Sequence, residues 1–284
     1  MRPKYLFSVL ALITLTVWGA VLAYPDKKLH LIACDVGQGD AILAVYGSLQ
    51  VLTDGGPGNK VLECLSEYMP FWDREVELVI LTHPQTDHFT GLIEVFRRYK
   101  VDTFLVSEVD SSARSYEVLE KAVGSSPTKV VHPKEGMVIR LGLIQIDILH
   151  PSESFLEQKS SDLNDYSTIY ELEFGDFEAL FTGDISPKII GELLAKNLIG
   201  PVDYIKIPHH GSRNGTTFGL LEASVPKLAA ISVGKDNSYG HPHREVLKML
   251  NDLGIQTIRT DKVGDIEIET DGRGFKLLSP LVQD

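Results

Sequence analysis

The segment ELVILTHPQTDH (residues 77–88) constrains this chain more than any other. A Leu/Val/Ile run without polar alternation reads as a buried strand. The strand stops at His83-Pro84-Gln85-Thr86-Asp87-His88, and Phe89, Leu92, Ile93, Phe96 and Tyr99 follow at the spacing of one helix face. A helix is therefore predicted over 89–99. Three groups able to bind a metal thus sit at a strand-to-helix junction, where they can point into one cleft. Imidazole nitrogens and carboxylate oxygens suit zinc and similar divalent ions. A blander reading stays open, in which Asp87 or Thr86 only caps the helix and the histidines lie on the surface.

From Leu29 onward, short β-branched runs alternate with helical stretches. LHLIACDV, AILAVYG and LQVLTDGG read as meandering strands ended by Gly-rich turns. A helix is expected over 58–69. Further strands are expected over VDTFLVS, near 128–132, 137–150, 168–174 and 178–183, and over VDYIKIP and LAAISVG. Helices fall at 187–197, 216–224 and 243–253, and short strands near 256–260, 264–270 and 274–279 close the chain. Two strand-rich halves, each with its own helices, predict two sheets packed face to face with helices outside, an αββα sandwich. The expected division is an N-terminal segment, 1–24, and one domain, 25–284.

Three later segments repeat the pattern of the first, each placing His or Asp just after an apolar strand. They are FTGD (Asp184), IPHHGS (His209, His210) and YGHPH (His241, His243). Six of the nine histidines fall in these segments or at 83 and 88, which random surface placement does not explain. His83, Asp87, His88, Asp184, His209 and His210 are therefore the candidate metal ligands, and Asp87 and His241 the candidate catalytic residues. One member of each His pair is expected to orient its neighbour. DVGQGD and TDGG form Gly-rich turns in which Asp35 and Asp54 serve either the turn itself or the floor of the cleft. Ser212, Lys235 and Asn237 are candidate substrate contacts. Lys206, Arg213, Lys235 and Arg244 cluster around the later motifs as phosphate contacts or as ordinary solvated charges.

Cys34 and Cys64 are too few for a disulfide framework, and each is expected as a buried thiol, one on a strand and one on a helix. Arg2 and Lys4 precede an uncharged run, Tyr5 to Ala23, close to the length needed to cross a bilayer. An uncleaved membrane anchor through residues 5–23 is the favoured expectation. Val21-Leu22-Ala23 also fits a cleavage site that would release a form starting near Tyr24. Both readings put the body outside the cytoplasm, since the positive flank stays inside. Removing residues 1–24 takes away Arg2 and Lys4 and no acid, which leaves 39 acidic against 25 basic residues and a net charge of −14. Such a body repels polyanions in general, so any nucleic acid must be gripped locally.

The ordered set DVGQGD, TDGG, LTHPQTDHFTG, LNDYS, FTGDI, IPHHGS and SVGKDNSYGHPH resembles the metallo-β-lactamase-fold domain at the C-terminal end of the bacterial competence protein ComEC, over residues 29–271. The resemblance implies that fold, a Zn or Mn cofactor, and a nuclease acting on the DNA strand that is not imported. It also implies a separate channel protein if this chain serves DNA uptake. The broader fold family writes its first motif HxHxDH, and here Gln85 replaces the second His. A neutral amide is a poorer zinc ligand than imidazole. Asn164 stands near the place of the usual third-motif His. One firm metal position is therefore expected, built from Asp87, His88, Asp184 and one of His209 or His210. The position served by His83, Gln85 and Asn164 is expected to be weak or empty. Two alternatives to a nuclease stay open: hydrolysis of another ester, such as an envelope phosphodiester or a lactone, and a non-catalytic surface binding module with a degenerate site.

Overall fold

The computed structural model describes residues 3–22, 25–158 and 160–280. Its strands are β1 (Leu29–Ala33), β2 (Ile42–Tyr46), β3 (Leu49–Thr53), β4 (Glu75–Leu81), β5 (Lys100–Val106), β6 (Lys129–Val131), β7 (Val138–Leu141), β8 (Ile144–His150), β9 (Ile169–Phe174), β10 (Phe177–Phe181), β11 (Tyr204–Lys206), β12 (Leu228–Ile231), β13 (Gln256–Arg259), β14 (Ile266–Thr270) and β15 (Phe275–Leu277). Its α-helices are α1 (Pro3–Leu22), α2 (Lys60–Tyr68), α3 (Thr86–Phe89), α4 (Leu92–Arg98), α5 (Arg114–Gly124), α6 (Glu153–Gln158), α7 (Pro187–Ala195), α8 (Phe218–Ser224), α9 (Arg244–Asp252) and α10 (Thr260–Val263).

The strands form an eight-stranded sheet, β15-β14-β1-β2-β3-β4-β5-β6, and a seven-stranded sheet, β13-β12-β11-β10-β9-β8-β7. Each sheet is half meander and half crossover. Strands β3 to β6 are parallel to one another, as are β10 to β13. Period-2 burial shows why the sheets stack: in β8, Ile144, Ile146 and Ile148 are buried while the residues between them are half-exposed. These isoleucines meet Leu31, Ala44 and Ile80 of the facing sheet in one apolar layer. The outer faces are closed by helices. Val61 and Leu65 of α2, with residues of α4 and α5, cover the first sheet, and α7, α8 and α9 cover the second. Four layers result, as the alternation of strand and helix predicts.

Three details differ from the sequence reading. Residues 137–150 are a hairpin, β7 and β8, turned at Gly142 in the left-handed region (φ 59°) where an added Cβ would meet the Leu49 side chain at 2.7 Å. The helix expected over 89–99 is broken into α3 and α4. A Cβ at Gly91 would stand 1.9 Å from the Gly55 carbonyl oxygen, so glycine lets the chain bend against the TDGG turn. Helices α5, α6 and α10 are additions, with Tyr116, Leu119 and Val123 as the buried face of α5.

The expectation of two free thiols is corrected: Cys34 and Cys64 form a disulfide, with Cα atoms 6.0 Å apart. Helix α2 packs across the outer face of the first sheet, which brings Cys64 beside the residue that leaves β1. Helix α1 exposes its described large apolar side chains, among them Phe7, Leu12, Leu15 and Trp18. Counted on the described residues alone, no helix is long and apolar enough to cross a membrane. Several side chains of α1, and residues 23 and 24 beyond it, lie outside the described residues.

Candidate metal centre

Parallel strands send all their carboxyl ends to one rim, and ligands in α/β sheets bind there. Asp54 directly follows β3, His83 follows β4 by two residues, and Asp184 and His209 follow β10 and β11 by three. Asp54 adopts a left-handed backbone (φ 59°) and is fully buried. Its carboxylate accepts from the Thr82 N–H, the Thr82 hydroxyl and His88 Nδ1, each at 2.8 Å. That bond fixes the His88 ring and turns Nε2 towards Asp184 Oδ2, 3.5 Å away. His210, also left-handed (φ 54°), donates from Nδ1 to the Ser232 carbonyl at 2.9 Å. Its Nε2 then lies 3.4 Å from Asp184 Oδ2 and 3.5 Å from Asp87 Oδ2. In both rings one nitrogen is anchored and the other presented, the arrangement that orients metal-binding histidines.

Asp87, His88, Asp184 and His210 each offer one atom, and the four atoms lie within 4.8 Å of one another. His88 Nε2, His210 Nε2 and Asp184 Oδ1 are buried without a hydrogen-bond partner. Buried polar atoms are rarely left so, and two imidazoles with two carboxylates suit a divalent ion. Without one, the charges of the site settle among themselves. Burial disfavours charge on both imidazoles, but Asp184, with Asp54 beside His88 and Asp40 beside His210, outweighs it and raises both pKa values well above the ordinary 6.5. Burial likewise opposes ionisation of Asp184, and His210 and His88 reverse it and hold the carboxyl well below its usual range. A divalent ion held by Asp87, His88, Asp184 and His210 would take over this charge balance from the imidazoles.

The neighbouring position is built differently. Gln85 donates from Nε2 to Asn164 Oδ1 at 2.7 Å, so the two amides satisfy each other. His83 is buried with Nε2 unpartnered, and burial, reinforced by His88, pushes it down to about 3. One neutral imidazole, His83, remains at this position beside two mutually satisfied amides.

The other predicted residues separate into three groups. His209 is half-buried with Nε2 3.8 Å from Asp184 Oδ2, at the margin of the set. The ring of His241 lies 5.6 Å from that of His209 and stacks on Tyr239 at 5.7 Å, and its Nδ1 has no partner. Asn237 is a brace of this loop: its Oδ1 accepts from the N–H groups of Tyr239 and His241, and its Nδ2 donates to the carbonyls of Gly234 and His241. Ser212 is buried and accepts from the Asn214 N–H. His243 precedes α9 and accepts from the Arg213 N–H. Asp35 stands apart, accepting from the Gly37 N–H and lying 3.7 Å from Lys60. Lys235, Arg213 and Arg244 are exposed.

Lys206 corrects an expectation. It is 1% exposed and pairs with Asp40, with Asp184 Oδ1 3.8 Å from its Nζ, so it cannot reach a phosphate in solution. Asp40 also faces His210 Nδ1 at 3.4 Å. Burial would lower the pKa of Lys206 and raise that of Asp40, yet their mutual attraction leads the reversal of both shifts. This pair went unread in the sequence. The apolar residues around Lys206 in VDYIKIP were the available signal, since an isolated lysine in a buried strand requires a carboxylate partner.

No protein-family model matches the chain. Among curated proteins it is similar to ComE operon protein 3 of Bacillus subtilis, 28% identical over 259 residues, covering 82% of this chain and 32% of the relative. It is also similar to Competence protein ComA of Neisseria gonorrhoeae, 26% identical over 259 residues, covering 89% of this chain and 34% of the relative. The chain spans about a third of the length of these relatives. Among solved structures it is similar to the metallo-β-lactamase-fold protein YhfI of Bacillus subtilis, with a TM-score of 0.57 and 12% identity over 84% of this chain and 99% of that one. Zn²⁺-bound PqqB of Methylobacterium extorquens follows at 0.54, with 11% identity over 78% of this chain and 85% of that one. A diphosphatase of the PhnP family stands at 0.50, with 17% identity over 85% of this chain and 98% of that one. The chain therefore carries the metallo-β-lactamase fold and is similar in sequence to proteins of bacterial competence.

Proposed function

We propose that this chain is a metal-dependent phosphodiesterase that cleaves DNA outside the cytoplasm. The observation that carries the reading is the set Asp87, His88, Asp184 and His210, preorganised on one rim with three buried polar atoms unsatisfied. The similarity to competence proteins, and the diphosphatase among the structural neighbours, support DNA and a phosphate ester as the substrate class. A divalent ion held by these residues supplies Lewis acidity at the phosphoryl oxygen and lowers the pKa of a water towards about 7.

The protein's part is positioning. Asp54 and the Ser232 carbonyl hold the two imidazoles in the tautomer that leaves Nε2 free. Burial, followed by His210, His209 and His243, pushes His241 down to about 4. It is therefore neutral at pH 7 and acts as a hydrogen-bond donor to developing charge rather than as an acid. Exposed Lys235, Arg213 and Arg244 grip the backbone locally in a body that otherwise repels it. Tyr239, 66% exposed beside His241, offers a stacking face to a base of a single strand.

Two features support the address. Disulfides persist in oxidising compartments, which fits Cys34–Cys64. The run from Tyr5 to Ala23, preceded by Arg2 and Lys4, anchors the chain with its body outside. The Gln85–Asn164 bond favours a second reading, a binding module that keeps a metal for structure. Incubating the purified chain with a single-stranded oligonucleotide and Mn²⁺ or Zn²⁺ separates the two. Cleavage that stops with chelator and in Asp184→Asn is expected; absence of cleavage with every divalent ion overturns the enzymatic reading.

A further inference from the structure

Phe71 and Trp72 stand out on the surface, 75% and 50% exposed, with their rings edge to face at 4.8 Å. Trp72 lines a cleft with Pro25, Lys27, Tyr46 and Leu49, where Pro25 is the third residue after the end of α1. Leu143, 64% exposed, belongs to the same neighbourhood, because the adjoining Gly142 packs against Leu49 and Tyr46. These residues occupy the turns that precede β4, join β2 to β3 and join β7 to β8. All three turns lie at the end of the sheets opposite the metal rim. The seven residues of β4 separate the two ends by about 20 Å.

We infer that Phe71, Trp72 and Leu143 rest on the lipid surface, so that the domain sits on the bilayer by this end with its metal rim facing away. The inference builds on the proposed anchor. Several observations choose lipid over another occupant. The apolar N-terminal segment leads into the patch, so an anchored chain brings it to the headgroup region. Trp beside aliphatic side chains is the composition of membrane interfaces. The neighbouring charges offset one another, Asp26 against Lys27 and Asp73 against Arg74, so adhesion comes from aromatic insertion and needs no anionic lipid. The orientation leaves the rim open to a strand arriving from outside the membrane.

The chain has two tryptophans, Trp18 in the apolar segment and Trp72 in the patch, which allows a direct test. The full chain carrying Trp18→Phe is reconstituted in phosphatidylcholine vesicles, and a second sample carries Trp72→Phe. Emission is then read with and without lipids brominated near the headgroup end of the acyl chain. The inference predicts that Trp72 emission shifts to shorter wavelength and is quenched, and that adding Phe71→Ser with Leu143→Ser reduces the quenching. Quenched Trp18 with unquenched Trp72 overturns the docking and leaves the anchor standing. If neither is quenched, both the anchor and the docking fail. A Trp72 shift that depends on protein concentration but not on bromine assigns the patch to a second copy of the chain and overturns the inference.

Discussion

Lys206→Met removes an ammonium that is buried with Asp40 and lies 3.8 Å from Asp184 Oδ1. At that separation and an effective dielectric near 20, attraction to Asp184 alone is about 4 kcal/mol before desolvation is subtracted. The variant leaves Asp40 charged and 2% exposed, facing His210 and, at 3.9 Å, His88, and breaking one side of a buried pair costs about 3 to 5 kcal/mol. Urea unfolding in chelator should show a loss of that size at unchanged slope. Lys206→Met with Asp40→Asn should recover most of it, since no unpaired charge remains. Mn²⁺ should restore more stability to the single variant than to the parent, because the ligand carboxylates have lost a competing cation. A loss under about 1 kcal/mol, or a double variant no better than the sum of the singles, refutes the coupling.

Tyr239→Ala should raise KM for single-stranded DNA about tenfold at unchanged metal content and nearly unchanged kcat, one stacked base contributing about 1 to 3 kcal/mol; an unchanged KM removes Tyr239 from the substrate path. Burial, then Glu178, Glu173 and Asp147, push Glu171 from 4.5 up to about 7. Between those values the native state holds a proton that the unfolded chain has lost, so this group's contribution falls as pH rises from 4.5 through 7. Glu171→Gln should therefore stabilise the protein at pH 8 by about 1 kcal/mol once solvent screening is allowed for, and an identical thermal midpoint at pH 8 refutes the assignment. Replacing Cys34 and Cys64 together by Ser opens a loop of 30 residues and should cost about 3 to 4 kcal/mol on chain entropy; no difference in oxidised protein means the bond is absent.

Much of the fold was legible because burial imposes period. ELVILTH announced a buried strand, and strand ends followed by His or Asp pointed to a single rim. The cluster of Asp87, His88, Asp184 and His210 was legible in residue type at strand ends, down to the choice between His209 and His210. That choice depended on which ring finds the Ser232 carbonyl, a contact across 22 residues that no local pattern carries. The disulfide, the Lys206–Asp40 pair and the Gln85–Asn164 bond were hidden for the same reason: each joins distant segments whose meeting is set by helix and sheet packing. The break between α3 and α4 was hidden differently, because Gly91 answers to a carbonyl of the TDGG turn rather than to helix propensity. Asn237 and Ser212 read as substrate contacts because short polar side chains near a site resemble braces and contacts alike.

The central claim is a single working metal position. Elemental analysis of the purified full chain, after equilibration with Zn²⁺ or Mn²⁺ and removal of excess, tests it most directly. The account predicts one tightly held ion per chain, lost in His210→Ala and in Asp184→Asn. Two tightly held ions, or none, contradict it.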